Sequence, residues 1–374
     1  MTIVVQELAL GGAGLSVMVK DTIDIAGYPT RASSPALADA PAATEHADVV
    51  QHLLQRGHRI TGKTGLHELA FGTTGINHWA GTATNPRFPT RIPGGSSSGS
   101  AAAVAAGLAD IAIGTDTGGS VRIPAACCGV FGLKPTFGRV SRQGVMPAHS
   151  SLDCIGPFAA SIDLLIDGMA AIDPGFGELP AVEDVRVGVV PVQAHAEVQA
   201  AVNAALQASG FALQAMPLPG MACAYDAGLD VINVETWAAC GHLLETGRVG
   251  ADIAARLQAA STTTAEALAA AETVRTAFTA EVDQALARTP ILAMPTMPDY
   301  PLLLADAADT RAVIGMTALV RPFNLSGHPA LTIPLVGACG LPVGLQLIAA
   351  KGADELLCAV ARQLVRQLED QCHA

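Results

Sequence analysis

Residues 94–122 read Gly94-Gly95-Ser96-Ser97-Ser98-Gly99-Ser100, then the apolar run AAAVAAGLADIAI, then Gly114-Thr115-Asp116-Thr117-Gly118-Gly119-Ser120-Val121-Arg122. Two glycine- and serine-rich loops are joined by a helix-plus-strand of fixed length, which sets Ser96 and Ser120 24 positions apart. Loop, helix, strand, loop is the repeating unit of an α/β protein. The glycines leave backbone N–H groups bare and the serines supply hydroxyls. A phosphate cradle, a flexible linker and a catalytic site could each use such a stretch.

Outward from it the same alternation continues. Leu15–Val19 is β-rich and alternating, and runs into Lys20-Asp21. The stretch ADVVQHLLQRG (47–57) has helical spacing and a glycine stop, and HRITGKT (58–64) reads as a strand. Beyond Pro174, VRVGVVP (185–191) reads as a strand and His195–Ser209 as a helix. Helical patterning dominates from Cys223 to Arg288, with an N-cap expected among Ser261–Thr264. PILAMPTMP (290–298) is a short buried strand fenced by prolines. HPALTIPLV and PVGLQLIAA form a late strand pair, and DELLCAVARQLVRQLE a closing helix. No stretch reads as a linker, so one elaborated domain is expected over residues 1–374.

Composition bounds the chemistry. Half of the 374 residues are hydrophobic and 14% are charged, enough for a large core. The mean hydropathy is +0.40. Yet the longest apolar run, Ala101–Gly114, is too short to span a bilayer and carries Asp110. No signal peptide is read at the N-terminus, so no membrane partner is expected. A net charge of −12 with no basic run argues against nucleic acid as a partner, and none is expected. The eight cysteines are scattered without C-x-x-C spacing, which fits reduced thiols in the cytoplasm.

The three readings of the glycine-serine loops separate on chemistry. Gly57–Thr64 formally fits G-x-x-x-x-G-K-T, but it is strand-like where a cradle must curl, and no hhhhD run accompanies it. A linker would not lead straight into an alanine-rich helix. Catalysis needs a nucleophile, a base and an oxyanion hole, and the consecutive glycines before Ser120 offer N–H groups that converge. Neither loop holds a histidine and neither serine sits in a G-x-S-x-G elbow, so a serine–histidine–aspartate triad has no support. His67 and His149 stand alone and read as structural. A buried lysine of lowered pKa can serve as the base instead.

These residues resemble the amidase signature family. The likeness runs through GGSSSGSAAAVAAG, GTDTGGSVRIPAACCGVFGLKPTFGRVSRQGVMP and SLDCIGPFA, back to VKDTIDIAGYPTRASS and forward to PFNLSGHPALTIP and LPVGLQLI. The resemblance implies an α/β fold, a large mixed β-sheet flanked by helices on both faces. Its signature core would lie at about 15–165, and a variable helical region lining the substrate pocket at about 222–290.

It also implies a Ser–cis-Ser–Lys triad, with Ser120 as the acylated nucleophile, Ser96 as the serine after a cis peptide and Lys20 as the base. Thr117, Gly118, Gly119 and Ser120 would give the oxyanion N–H groups. Ser97, Asp116 and Arg122 would buttress the loops, Arg122 by an internal ion pair with Asp116 or another carboxylate, or else by direct contact with the substrate. Ser98 and Ser100 are expected to cap the helix.

No metal or other cofactor is implied. The substrate would be a small amide, hydrolysed to a carboxylate and ammonia or an amine; the alternative is a glutamine-hydrolysing amidotransferase A-type subunit. A scaffold with a degenerate site is disfavoured because all three triad residues are present. The family's usual helices before the lysine are missing, which bears on whether the chain is a homodimer. Arg321 falls in a loop near the family's substrate pocket; it is either a surface residue in an ion pair or a selector of amides with a far-end carboxylate. Three tyrosines and two tryptophans argue against a wide aromatic pocket.

Overall fold

The structure, a computed structural model, describes residues 2–308 and 310–372, the side chains of 310–312 and 372 excepted. Its strands are β1 (Val4–Gly11), β2 (Ser16–Lys20), β3 (Arg59–Thr64), β4 (Ile111–Asp116), β5 (Phe131–Lys134), β6 (Cys154–Ala159), β7 (Arg186–Val189), β8 (Ala212–Ala215), β9 (Ile291–Pro295), β10 (Ala330–Val336) and β11 (Pro342–Ala349). They form one sheet in the order β1-β3-β2-β4-β6-β5-β10-β11-β9-β7-β8.

The sheet is mixed. β2 runs parallel to both β3 and β4, whereas β4–β6, β5–β10 and the hairpin β10–β11 are antiparallel. β4 and β6 are buried along their whole length, which is why IAIGTD and CIGPFA lack the apolar–polar alternation of a half-exposed strand.

Helices cover both faces. On one, Val49, Leu53, Leu165, Met169, Val198, Val202, Leu357 and Leu364 share a core with β2, β4 and β10. On the other lie the short helices Ser98–Ala105 and Arg122–Cys128 and the long pair Met221–Cys240 and Ala265–Arg288. Ser98–Ala105 is buried all round, so it has no polar stripe to show in the sequence. It lies so close to its neighbours that a Cβ at Gly99 would come within 2.5 Å of the Gly65 carbonyl oxygen.

Most expected elements are present. Thr264 caps the helix Ala265–Arg288, its side chain accepting from the Ala267 N–H. The run with phosphate-cradle spacing is a straight strand at 59–64, which removes that reading. The edge strand β1 was not expected; none of its residues is fully buried, and its half-buried and exposed positions alternate over Gln6–Gly11.

Candidate active site

Strand pairing assembles the site. β2 ends at Lys20 beside β4, which ends at Asp116, so the lysine arrives next to the second glycine loop. The first loop reaches the same point because the Ser97 N–H donates to the Ser120 carbonyl at 3.3 Å. The Ser97 hydroxyl also bonds the Thr115 carbonyl and N–H, at 3.1 and 3.3 Å. Ser96 follows a cis peptide bond to Gly95, and its carbonyl accepts from the N–H groups of His67 and Ser98.

Lys20 Nζ lies 2.8 Å from Ser96 Oγ and 2.7 Å from Thr115 Oγ1. Lys20 is fully buried, Ser96 is 1% exposed and Ser120 is 7% exposed. Burial lowers the lysine's pKa to about 7 against the opposing fields of Asp153 and Asp116. An ammonium held by two neutral hydroxyls in a dry site has little to stabilise its charge.

Asp116 organises the second loop. Its carboxylate accepts from the backbone N–H groups of Gly119, Val121 and Arg122, from the Arg122 guanidinium at 2.9 and 3.0 Å, and from Asn324 at 2.8 Å. Burial pushes its pKa up, but Arg122 and the bond from Asn324 outweigh this and hold it well below the carboxylate range. The remaining Arg122 donors reach the Val320 carbonyl, Gln346 and Asn324.

One expectation needs correction: the Gly119 N–H is spent on Asp116 and cannot serve an oxyanion. Thr117, Gly118 and Ser120 remain as candidates. Gly119 has a backbone reason to be glycine instead. Its φ is +115°, and a Cβ there would meet Val320 at 2.4 Å.

Other residues fall elsewhere than expected. Ser97 occupies the cap position of Ser98–Ala105 without a side-chain cap bond. Ser100 does not cap either; it shares a hydrogen bond with Thr64 and donates to the Ile113 carbonyl, joining β3 to β4. His67 is buried, and burial holds its pKa down to about 3. His149 lines a cavity of about 560 Å³ together with Arg142, Ser150 and Glu235.

That cavity shares Met146, Pro147, Ser150, Glu235 and Ala239 with a narrower one lined by Thr117. The wall from Ile232 to Cys240 lies in the region expected to shape the substrate pocket.

Arg321 is not a surface residue. It is 8% exposed, its guanidinium lies 4.3 Å from the centre of the Tyr225 ring, and it donates to the Thr317 hydroxyl and the Tyr225 carbonyl. Its Nε has no partner, and no carboxylate among the described residues pairs with it. Its side chain runs beside Gly118.

Thr115 and Asp153 are site residues that motif reading missed. Both lie inside the stretches that carry the resemblance, but only the fold brings them to Lys20.

Comparison with known proteins agrees with this fold. A family model described as Amidase matches residues 10–224 and 234–358. The A-type subunit of the glutamyl-tRNA(Gln) amidotransferase from Picosynechococcus sp. is 34% identical over 404 residues, covering 93% of this chain and 83% of that protein. A solved amidase structure superposes with a TM-score of 0.87 at 31% identity, covering 94% of this chain and 84% of the other. The structure of 6-aminohexanoate cyclic dimer hydrolase complexed with substrate gives 0.84 at 27% identity, covering 98% and 89%.

Proposed function

The chain belongs to the amidase family, and on that premise we propose that it cleaves an amide C–N bond through a seryl acyl-enzyme, with Lys20 as base, Ser96 as relay and Ser120 as nucleophile. The observation that carries this is the 2.8 Å contact between Lys20 Nζ and Ser96 Oγ, in a site where the lysine is fully buried. With a pKa of about 7, a substantial fraction of Lys20 is neutral at neutral pH.

Neutral Lys20 takes a proton from Ser96, Ser96 takes one from Ser120, and Ser120 Oγ attacks the amide carbonyl. The N–H groups of Thr117, Gly118 and Ser120 receive the oxyanion. The proton returns through Ser96 to the leaving nitrogen, and water then hydrolyses the ester. Ser97, Asp116 and Arg122 hold the loops. The reading requires no cofactor and treats the chain as one catalytic domain working in the cytoplasm.

For the substrate, the sequence relatives weigh toward the second of the two expected readings, a glutamine-hydrolysing A-type subunit that passes ammonia to a partner chain. The free small amide stays beside it because the solved amidase and the 6-aminohexanoate cyclic dimer hydrolase superpose over most of this chain. Both readings fit an amide bearing a carboxylate, which Arg321 would recognise. Ammonia release from glutamine, compared with a panel of carboxylated and neutral amides, separates them. Glutamine turnover that depends on copurifying partner chains favours the amidotransferase reading; turnover of other amides by the isolated chain favours the free amidase. Failure of Ser120 to become acylated by any of them refutes the mechanism.

A further inference from the structure

Asp153 stands just before β6, 1% exposed, between the oxyanion loop and the cavity wall. One carboxylate oxygen accepts from the Thr117 hydroxyl at 2.8 Å, and the other is 3.0 Å from both Nε and a terminal nitrogen of Arg142. Arg142 in turn donates to the Pro147 carbonyl and lines the larger cavity. The Asp153 N–H donates to Ser150 Oγ, which donates to Glu235 on the helix Met221–Cys240. A chain of bonds therefore runs from the cavity wall to the residue that opens the oxyanion loop.

We propose that Asp153 is a positioning residue for the amide cleavage: it fixes the Thr117 end of the oxyanion loop through the threonine hydroxyl. The proposal rests on the reading of Lys20 as base.

The charges around the lysine make the role distinct. Asp116 also acts on its charge, but Arg122 neutralises that carboxylate. His67, whose backbone N–H binds the Ser96 carbonyl, has its pKa held down by burial to about 3. Asp21, next in the chain, pairs with Lys63 at 2.8 Å. Asp153 is paired with Arg142 and accepts from Thr117, and burial pushes its own pKa up against them. Among the charges acting on Lys20, Asp153 is the strongest influence holding its pKa up against burial.

The test uses phenylmethanesulfonyl fluoride, which reports the nucleophilicity of Ser120 without knowledge of the substrate. The inactivation rate of the full chain is measured from pH 5 to 10. For the wild type it should rise through a midpoint near 7. Asp153→Asn keeps an acceptor for Thr117 but removes the negative charge, so the ammonium loses support and the midpoint moves to lower pH, by about one unit.

Thr117→Val removes the tether and leaves the charge, so the plateau falls roughly tenfold or more while the midpoint stays. Asp153→Glu should return the midpoint toward the wild-type value. An unmoved midpoint in Asp153→Asn overturns the electrostatic role, and a wild-type plateau in Thr117→Val overturns the tether. If Asp153→Asn does not fold, Thr117→Val still decides the tether. Lys20→Met separates the two levels: undiminished inactivation in that variant refutes the base itself, whereas its loss with an unresponsive Asp153 refutes only this proposal.

Discussion

Lys20 and Arg122 are both fully buried cations beside the same glycine loop, yet their surroundings are opposite. The Arg122 guanidinium meets a carboxylate, two side-chain amides and a backbone carbonyl. Lys20 Nζ meets two hydroxyls. A buried charge with a full set of partners is stable and inert, whereas one with only neutral partners shifts its pKa until it can give up its proton. On the proposed mechanism the loop around Asp116 is scaffold, and the line from Lys20 through Ser96 is where a proton moves. This contrast is sharp enough to be broken by substitution: changes in the relay should remove activity and spare the fold, and changes in the hub should do the reverse.

The largest effect is expected at Ser120. Ser120→Ala should lower kcat/KM by about four to six orders of magnitude, as loss of a nucleophile does when a triad acts as a unit. Its thermal midpoint should match the wild type, because the carbonyl that binds the Ser97 N–H is kept. Near-normal turnover on any amide that the wild type cleaves would show that the nucleophile lies elsewhere.

Lys20→Met comes next, with a loss of roughly two to four orders of magnitude at neutral pH. It also makes a prediction about stability. The folded-state pKa of about 7 lies below the ordinary 10.5, so between these values the unfolded chain binds a proton that the folded one does not. The lysine's contribution therefore makes unfolding free energy rise with pH across this window, with a limiting slope of about 1.4 kcal/mol per pH unit. That contribution should vanish in Lys20→Met. Urea titrations at pH 7, 8 and 9 check it; parallel pH dependences in the two proteins would place the lysine in contact with water.

Arg122→Met tests the other side of the contrast. It strands the Asp116 carboxylate, which should cost about 3–5 kcal/mol, because removing one partner leaves an uncompensated buried charge. Asn324 and the three backbone N–H groups still bind Asp116, which favours the lower end. Denaturant midpoints measure this directly. A loss of activity without a loss of stability would move Arg122 from scaffold to chemistry.

Much of this site is legible in the sequence, and the reasons differ from residue to residue. The glycine-flanked serines and the lysine closing a β-rich run mark where to look, but the roles of Ser96, Ser120 and Lys20 came from the family resemblance. The patterns themselves indicated an α/β protein with a late strand pair, and the resemblance implied that its sheet is mixed. Strand pairing brings Thr115 to the lysine and sets Asp153, just before β6, beside the end of β4, and no spacing rule in the sequence announces that. Gly119 misled because a glycine-rich loop offers N–H groups without saying which are free; Asp116, three residues earlier, claims that one. Arg321 misled in the opposite way: expected in a loop, it opens the short helix Arg321–Leu325, and nothing in the sequence signals that the Tyr225 ring will cover it.

Arg321 stands between the two poles of the contrast, because it shares features of both cations. Like Arg122 it has polar partners, the Thr317 hydroxyl and the Tyr225 carbonyl; like Lys20 it has no carboxylate among its hydrogen-bond partners. Its Nε is unpartnered, and its side chain passes the Gly118 backbone on the oxyanion loop. A substrate carboxylate would supply the missing counter-charge. Because Arg321 already has two polar partners, the expected effect sits at the bottom of the range for a buried charge pair, about 2 kcal/mol or roughly thirtyfold in kcat/KM. Arg321→Ala should show this loss on carboxylated amides, glutamine included, and little on neutral amides of equal size. The Tyr225 ring gives a control: Tyr225→Leu removes the stacking surface but keeps the charge, so it should weaken both substrate types alike. Equal losses on both types in Arg321→Ala would make Arg321 a strut between the helix Met221–Cys240 and the turn at Thr317, and the substrate's carboxylate, if it has one, would be held by another group.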